Sequence, residues 1–204
     1  MKNADTVIVL DFETTGLSPA CGDRAIEIGA VRLEKGRVTD KFQSLMNPGM
    51  HIDAFIESYT GITNGMLSNA SSCKTVMKEF AEFIEDFNLV AHNASFDKKF
   101  LDSEMNNIKE KYCGDFACSM LIARRVYPDA PNHKLSTLVK HKNLPTDGTF
   151  HRALADADMT ASLWLSLLDD IHEKYGSQSL GFTDMQKLSQ VNKNSVPMFF
   201  KNLC

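Results

Sequence analysis

Four carboxylates and one histidine are distributed along the chain in a pattern that could hold divalent cations beside a phosphate ester. They are Asp11, Glu13, Asp97, His151 and Asp156. Carboxylates gathered in one cleft repel each other by ~3 kcal/mol per pair at ~5 Å and an effective dielectric of ~20, so a site built from them needs cations. Ligation by oxygen, without cysteine or a histidine pair, favours Mg²⁺ or Mn²⁺ over zinc. Two such ions can stabilise the attacking and leaving oxygens of a phosphoryl displacement.

The first three carboxylates are predicted at the ends of buried strands. Residues 6–12 form a short apolar run typical of a buried strand, and Asp11 and Glu13 lie at its end. Because side chains two apart on a strand point to the same face, this pair is expected side by side. Asp97 follows a second predicted strand at 88–92, and ligands of open α/β sheets collect outside the carboxyl ends of strands. Asp97 therefore lies beside the pair if the two strands are parallel neighbours.

His151 and Asp156 are predicted on different parts of one segment. Five residues on a helix turn through about 500°, so two side chains five apart do not share a helical face. We expect His151 on the loop that leads into the helix, just after residues 147–150, and Asp156 in the early helix. A fixed carboxylate suits a metal ligand, and a side chain on a loop suits a base that moves.

The order of predicted strands and helices along the chain predicts an α/β domain with a mixed five-stranded sheet flanked by helices. Further strands are predicted over 24–34, 37–46 and 114–119, the first two joined by a turn at Lys35-Gly36. Helices are predicted over 71–87, after a cap at Ser95, and over about 152–174. This domain is expected to span residues 1–175, with residues 176–204 as a tail or a separately docked segment.

The overall charge argues against a surface that coats a nucleic-acid duplex. The 204 residues include 26 Asp and Glu against 22 Lys and Arg, which gives a net charge of −4, whereas duplex binding normally needs a basic face. Two divalent cations would offset the four site carboxylates, so contact with a phosphate polymer would be local, at a strand end. No segment reaches the roughly 18 apolar residues of a membrane span. The five cysteines are scattered, which favours reduced thiols in a cytoplasmic protein.

Three stretches in order, DFETTG (11–16), HNASFD (92–97) and HRALAD (151–156), resemble the motifs of the DEDDh 3′→5′ exonucleases, which include the epsilon proofreading subunit of bacterial DNA polymerase III and its stand-alone homologues. The resemblance covers residues 6–172 and implies a ribonuclease H-like fold. It also implies metal-dependent hydrolysis at single-stranded DNA 3′ ends, with release of nucleoside 5′-monophosphates in proofreading or DNA repair. An RNA-trimming or oligonucleotide-degrading exoribonuclease is the alternative within this class. An adaptor that binds nucleic acid through a vestigial site is the alternative from another class.

The resemblance implies a role for each of the five positions. Asp11, Glu13 and Asp156 would bind one of two Mg²⁺ or Mn²⁺ ions, and Asp11 would bridge to the other. Asp97 would help to hold that second ion. His151 would be the general base that takes a proton from the attacking water, and histidine at this position, where another branch has tyrosine, indicates the DEDDh branch.

Contacts to the 3′-terminal nucleotide are implied for a further set of residues. They are Thr14, Thr15, Gly16, Leu17, Thr60, Met66, His92, Asn93 and Phe96. Leu17 would pack on the terminal base, and Met66 stands where the family often has an apolar wedge. Epsilon-like proteins often carry Val-His-Gly-Ile where this chain has Tyr59-Thr60-Gly61-Ile62. The histidine that could contact the sugar is therefore missing, and the choice between DNA and RNA stays open.

The resemblance leaves two kinds of partner open. The epsilon subunit works with a DNA polymerase subunit, whereas its stand-alone homologues do not. Residues 195–200 (SVPMFF) weakly resemble tails that bind sliding clamps, although the usual leading glutamine is missing at 195. The alternative for this segment is that it folds back on its own domain.

Overall fold

Five strands form one mixed sheet in the order β3-β2-β1-β4-β5, in a computed structural model that describes residues 2–146, 148, 151–176 and 180–203. The strands are β1 (Val7–Thr14), β2 (Ala25–Glu34), β3 (Arg37–Leu45), β4 (Asn88–Ala91) and β5 (Phe116–Cys118). Strand β1 runs antiparallel to β2 and parallel to β4, while β2 and β3 are antiparallel and β4 and β5 are parallel. The predicted mixed five-stranded sheet is confirmed.

Helices cover both faces of this sheet. They are α1 (Ala54–Thr60), α2 (Asn64–Ser68), α3 (Cys73–Ile84), α4 (Ser95–Ile108), α5 (Ser119–Val126), α6 (Leu135–His141), α7 (Ala153–Tyr175), α8 (Phe182–Leu188) and α9 (Val196–Lys201), with 3-10 turns at Pro19–Cys21 and Lys193–Ser195. Among the described helices, none combines the length and the apolar composition needed to cross a membrane.

Alternation along β1 divides the apolar core into two layers. Val7 and Val9 pack with α5, α7 and α8 on one face of the sheet. Ile8, Leu10 and Phe12 pack with α3 and α4 on the other face. Since successive side chains of a strand point to opposite faces, the odd-numbered residues that follow Val9 point toward α7. Strand β1 therefore contributes to both layers of the core and also sets the direction of the Asp11 and Glu13 side chains.

The start of α4 differs from the prediction of a cap at Ser95. Ser95 is the first helical residue, and the position before it is Ala94, whose side chain offers no capping group. The chain turns at Asn93, which has φ of +69°, a conformation that asparagine tolerates better than most residues. The helix therefore begins earlier than a serine cap would require, and Asp97 lies in its first turn.

The C-terminal segment packs against the core of the preceding residues. On α8, Phe182, Met185 and Leu188 are buried, and on α9 Val196 and Phe200 are buried. Backbone bonds also join it to the N-terminal residues, from the Ala4 amide to the Leu180 carbonyl at 2.9 Å and from the Phe182 amide to the Lys2 carbonyl at 2.9 Å. The segment 195–200 therefore folds back on its own domain, and two of its apolar side chains are not free to enter a groove on another protein.

Candidate active site

A cleft of about 630 Å³ lies at the carboxyl ends of β1 and β4. All five positions that the sequence singles out for chemistry line it: Asp11, Glu13, Asp97, His151 and Asp156. The parallel pairing of β1 with β4 brings the first two motifs to the same edge of the sheet. Helix α7 packs on β1 and β2, and the third motif lies at its N-terminal end, with His151 just before the helix and Asp156 within it.

Asp97 is held directly against the first motif. The Phe12 amide donates a hydrogen bond to Asp97 Oδ1 at 3.2 Å, so the carboxylate on α4 is fixed to β1. Asp97 is 2% exposed and Glu13 is 9% exposed. These two acidic groups are therefore largely removed from water.

His151 lies just outside α7 in a constrained backbone conformation. Its φ is +62°, in the left-handed region that residues other than glycine rarely adopt. The His151 amide donates to Asp156 Oδ2 at 2.9 Å, and the Asp156 amide donates to the Arg152 carbonyl at 3.0 Å. Within the described residues, ligand atoms of Glu13, His151 and Asp156 all lie within 4.8 Å of one another. Three residues of the predicted lead-in, Asp147, Thr149 and Phe150, lie outside the described residues.

Burial raises the pKa of each carboxylate in the cleft. Burial, followed by the negative charge of Asp97, raises the pKa of Asp11 well above its usual range. Burial, followed by the charge of Asp156, raises the pKa of Glu13 to about 8. Burial raises the pKa of Asp97 to about 7, although the bond from the Phe12 amide opposes this shift, and burial also raises the pKa of Asp156.

This donor set fits divalent cations. Among the described residues, no lysine or arginine forms an ion pair with Asp11, Glu13, Asp97 or Asp156. Adjacent carboxylates that are largely buried and have no ion-pair partner are stabilised by binding protons or cations. Their oxygens are the ligands that Mg²⁺ and Mn²⁺ prefer.

Without metal, the protein is expected to lose stability as the pH rises from about 5 to about 8. Folded Glu13 and Asp97 bind protons more tightly than they do in the unfolded chain, and stability falls with pH wherever the native state holds more protons. Added Mn²⁺ should therefore raise the thermal unfolding midpoint more at pH ~8 than at pH ~5.5, where protons compete for the same oxygens. Thermal scans in EDTA and in MnCl₂ measure this difference. Asp97→Asn should flatten the pH dependence in EDTA, and an equal effect of metal at the two pH values would contradict the prediction.

The residues predicted to contact substrate mostly line the same cleft. Thr14, Thr15, Gly16, Leu17, Thr60, His92, Asn93 and Phe96 do so. Met66, the predicted apolar wedge, is not among the residues that line the cleft. It is 37% exposed on the short helix α2, whose buried side chain is Leu67. The apolar side chains on that side of the cleft come from α1 instead.

The loop after β1 forms one rim of the cleft. A Cβ atom at Gly16 would lie 2.4 Å from the Asp23 carboxylate, so any larger residue there would displace the Asp23 side chain. Asp23 in turn accepts a hydrogen bond from the Ser18 amide at 2.8 Å. The turn leaves Leu17 77% exposed, so its side chain is free to pack on a ligand.

Two of these lining residues have their polar atoms engaged within the protein. His92 bonds through Nδ1 to Ser119 Oγ and through Nε2 to the His133 carbonyl, each at 2.9 Å, and burial lowers its pKa to about 4. The Thr60 hydroxyl donates to the Ile56 carbonyl at 2.8 Å. These residues shape the cleft wall and offer no free hydrogen-bonding atom in this conformation.

Helix α1 and the residue that caps it contribute lining residues that the sequence did not predict. They are Asp53, Phe55, Ile56 and Tyr59. The Phe55 and Tyr59 rings stack with centroids 5.8 Å apart, and the Tyr59 ring lies 4.0 Å from the His151 ring. Asp53, which caps α1 by accepting from the Ile56 amide, and two aromatic residues four apart are the signals that could have indicated an exposed aromatic helix here.

The chain is similar to known exonuclease and DNA polymerase III proteins. The RNase_T model, described as an exonuclease, matches residues 8–164. The DNA polymerase III PolC-type protein of Bacillus subtilis (strain 168) is 40% identical over 172 residues, 83% of this chain and 12% of that protein. The DNA polymerase III subunit epsilon of Aquifex aeolicus (strain VF5) is 34% identical over 172 residues, 84% of each chain.

One solved structure extends the comparison to the fold. Exonuclease X in complex with 5′ overhanging duplex DNA aligns with a TM-score of 0.69 and 25% identity, over 90% of this chain and 99% of that one. The chain thus corresponds in length to epsilon and exonuclease X, whereas it spans only 12% of the PolC-type relative.

Proposed function

The chain belongs to the DEDDh 3′→5′ exonucleases, and we propose that it hydrolyses phosphodiester bonds at single-stranded DNA 3′ ends and releases nucleoside 5′-monophosphates. The observation that carries the proposal is the convergence of four carboxylates and His151 on one cleft. Sequence relatives that are DNA polymerase III proteins support DNA as the substrate.

Each group in the cleft has a role in this reaction. Asp11, Glu13, Asp97 and Asp156 would hold two Mg²⁺ or Mn²⁺ ions. When bound, such ions supply positive charge to the attacking and leaving oxygens. His151 would take the proton of the attacking water on its imidazole, while its own amide stays bonded to Asp156.

The surroundings of the cleft favour a single-stranded end as the substrate. Leu17, Phe55 and Tyr59 expose apolar surface at its rim, 77%, 70% and 51% respectively. Unpaired bases stack on such side chains with little regard to sequence, whereas bases within a duplex are already stacked on each other. The net charge of −4 is consistent with contact confined to this point.

Phe55→Ala is expected to raise KM for a single-stranded DNA oligonucleotide by about tenfold, since base–aromatic stacking contributes ~1–3 kcal/mol per base. The kcat should change little, because Phe55 is at the rim. The side chain is 70% exposed, so the fold should persist. Steady-state kinetics check this, with Val38→Ala, an exposed apolar residue on β3, as the control. A KM equal to that of the control would mean that bases do not stack on Phe55.

The function itself is tested with 3′-labelled single-stranded DNA and RNA of the same sequence, incubated with Mg²⁺, Mn²⁺ or EDTA. We expect metal-dependent release of mononucleotides from DNA, faster than from RNA. Faster release from RNA would replace the proposal with the exoribonuclease alternative. Release from neither polymer, with retained binding, would indicate an adaptor.

We propose a DNA polymerase III subunit as the partner, on the strength of the relatives named DNA polymerase III subunit epsilon and PolC-type polymerase. Co-purification of a polymerase subunit with the tagged chain from its native cells tests this. Recovery of the chain alone, with full exonuclease activity, would favour a stand-alone enzyme. A cytoplasmic place of action remains a prediction from the scattered cysteines.

A further inference from the structure

Glu27 is a fully buried carboxylate beside the cleft to which the reaction assigns no role. It lies on β2 directly opposite Glu13 of β1 and has no exposed surface. Its oxygens accept from Arg152 Nε at 3.1 Å, Arg152 Nη2 at 2.8 Å, the Ala153 amide at 3.1 Å and Gln43 Nε2 at 3.0 Å. A bidentate arginine contact of this kind fixes both distance and orientation.

The bonds from Glu27 end on the two residues that follow His151. Arg152 precedes the first residue of α7, and Ala153 is that first residue. The left-handed backbone of His151 persists only if the surrounding contacts hold it. On one side the contact is the bond from its amide to Asp156, and on the other it is the anchored Arg152.

We propose that the Glu27–Arg152 ion pair is a positioning device that holds the His151 imidazole against Tyr59 at the cleft, so that Arg152 is a positioning residue for the base. This inference rests on the proposed function, in which His151 is the base. The pair connects the third motif to the strand opposite Glu13, and therefore sets His151 relative to the carboxylates of β1.

Asp156 is also held by packing of α7 that does not involve this pair. At Gly29, a Cβ atom would lie 2.1 Å from the Leu154 amide nitrogen, so the first turn of α7 rests directly on β2. Ala153 and Ala157 of the same helix are completely buried. Loss of the ion pair should thus free His151 while the metal ligand Asp156 stays in place.

The chain contains a second ion pair of nearly the same construction, which provides a matched control. Glu104, 2% exposed, accepts from Arg24 Nε at 2.8 Å, from Arg24 Nη2 at 2.9 Å and from the Ala25 amide at 3.3 Å. The arginine side chains are exposed to similar extents, 30% for Arg24 and 35% for Arg152. Arg24→Gln and Arg152→Gln therefore leave equivalent buried carboxylates without their partner, one away from His151 and one beside it.

The experiment compares these two variants with the wild-type protein and with the double variant Glu27→Gln/Arg152→Met. The double variant removes both charges and keeps an oxygen for the Ala153 amide, so its unfolding midpoint should return close to that of wild type. We expect Arg152→Gln and the double variant to lose kcat by about 30-fold, part of the 10²–10⁴ that a positioned base contributes, with KM within about threefold of wild type. Arg24→Gln should keep kcat. The increase in unfolding midpoint on adding Mn²⁺ should survive in all of them.

A second readout needs neither metal nor substrate. The Tyr59 and His151 rings, 4.0 Å apart, should give NMR cross-relaxation peaks in wild type and Arg24→Gln, and these peaks should weaken or vanish in Arg152→Gln and in the double variant. Unchanged ring contacts, or a double variant that recovers kcat together with stability, would overturn the proposal. If Arg152→Gln does not fold, the double variant decides. A wild-type protein without activity would refute the proposed function, while the ring contacts would still test the positioning.

Discussion

Asp11→Asn is expected to lower exonuclease turnover by roughly a thousandfold, equivalent to about 4 kcal/mol of transition-state stabilisation. Asp11 lines the cleft together with the other three carboxylates. After burial, the charges of Asp97, Asp156 and Glu13 all raise its pKa, so a cation in the cleft would relieve repulsion that acts on Asp11 from all three. The amide of asparagine has nearly the same shape but supplies no negative charge to hold a cation.

The measurement is single-turnover hydrolysis of a labelled oligonucleotide at saturating Mn²⁺. Unfolding at pH ~8 in EDTA should show Asp11→Asn to be at least as stable as wild type, because a buried charge among like charges has been removed. Asp129→Asn, an exposed acidic position away from the cleft, serves as the control and should behave as wild type. Asp11→Asn with more than about a tenth of wild-type turnover would mean that the ions are held elsewhere.

His151→Gln is expected to reduce kcat by about 10²–10⁴-fold, the usual contribution of general-base catalysis. Glutamine keeps a polar side chain at this position but cannot take the proton of the attacking water. Pre-steady-state rates of wild type and variant at one pH measure the loss. A variant that keeps the wild-type rate would show that another group accepts the proton.

The two variants are distinguished by their response to metal. Asp11→Asn should lose most of the increase in unfolding midpoint that Mn²⁺ causes, because it lacks a ligand. His151→Gln should keep that increase, since Glu13 and Asp156 remain in place. A calorimetric titration with Mn²⁺ in the absence of DNA therefore separates loss of the cation site from loss of the base.

The positions of the catalytic carboxylates could be predicted because each lies at the end of a strand pattern or at the start of a helix pattern in the sequence. Asp11 and Glu13 end an apolar run, and Asp97 and Asp156 lie in the first turns of helices. Strand alternation and the parallel β1–β4 pair then leave little freedom in where these side chains point. The convergence of the carboxylates follows from local sequence and from one rule of sheet topology.

The position of α1 beside the cleft could not be predicted in the same way, because it depends on tertiary packing. The contact between Tyr59 and His151 joins residues 92 positions apart and has no local pattern. The role of Met66 is implied only by the family resemblance, and on the short helix α2 it is the neighbouring Leu67 that is buried. For Glu27, the sequence did contain a signal: it is the one charged residue in the apolar stretch AIEIGAV, and a buried carboxylate requires partners.

The backbone hydrogen bonds between residues 2–4 and 180–182 bear on how this fold could be built into longer proteins. They place the residues that precede β1 beside the residues that follow α7, so the part of the fold from β1 to α7 begins and ends at neighbouring points. A unit whose ends meet can be inserted into a surface loop of a host, or circularly permuted through a short linker, without separating the flanking chain. The adjacent ends of the β1–α7 part make its insertion into a longer protein sterically simple, and the matching segment makes up 84% of one relative and 12% of another.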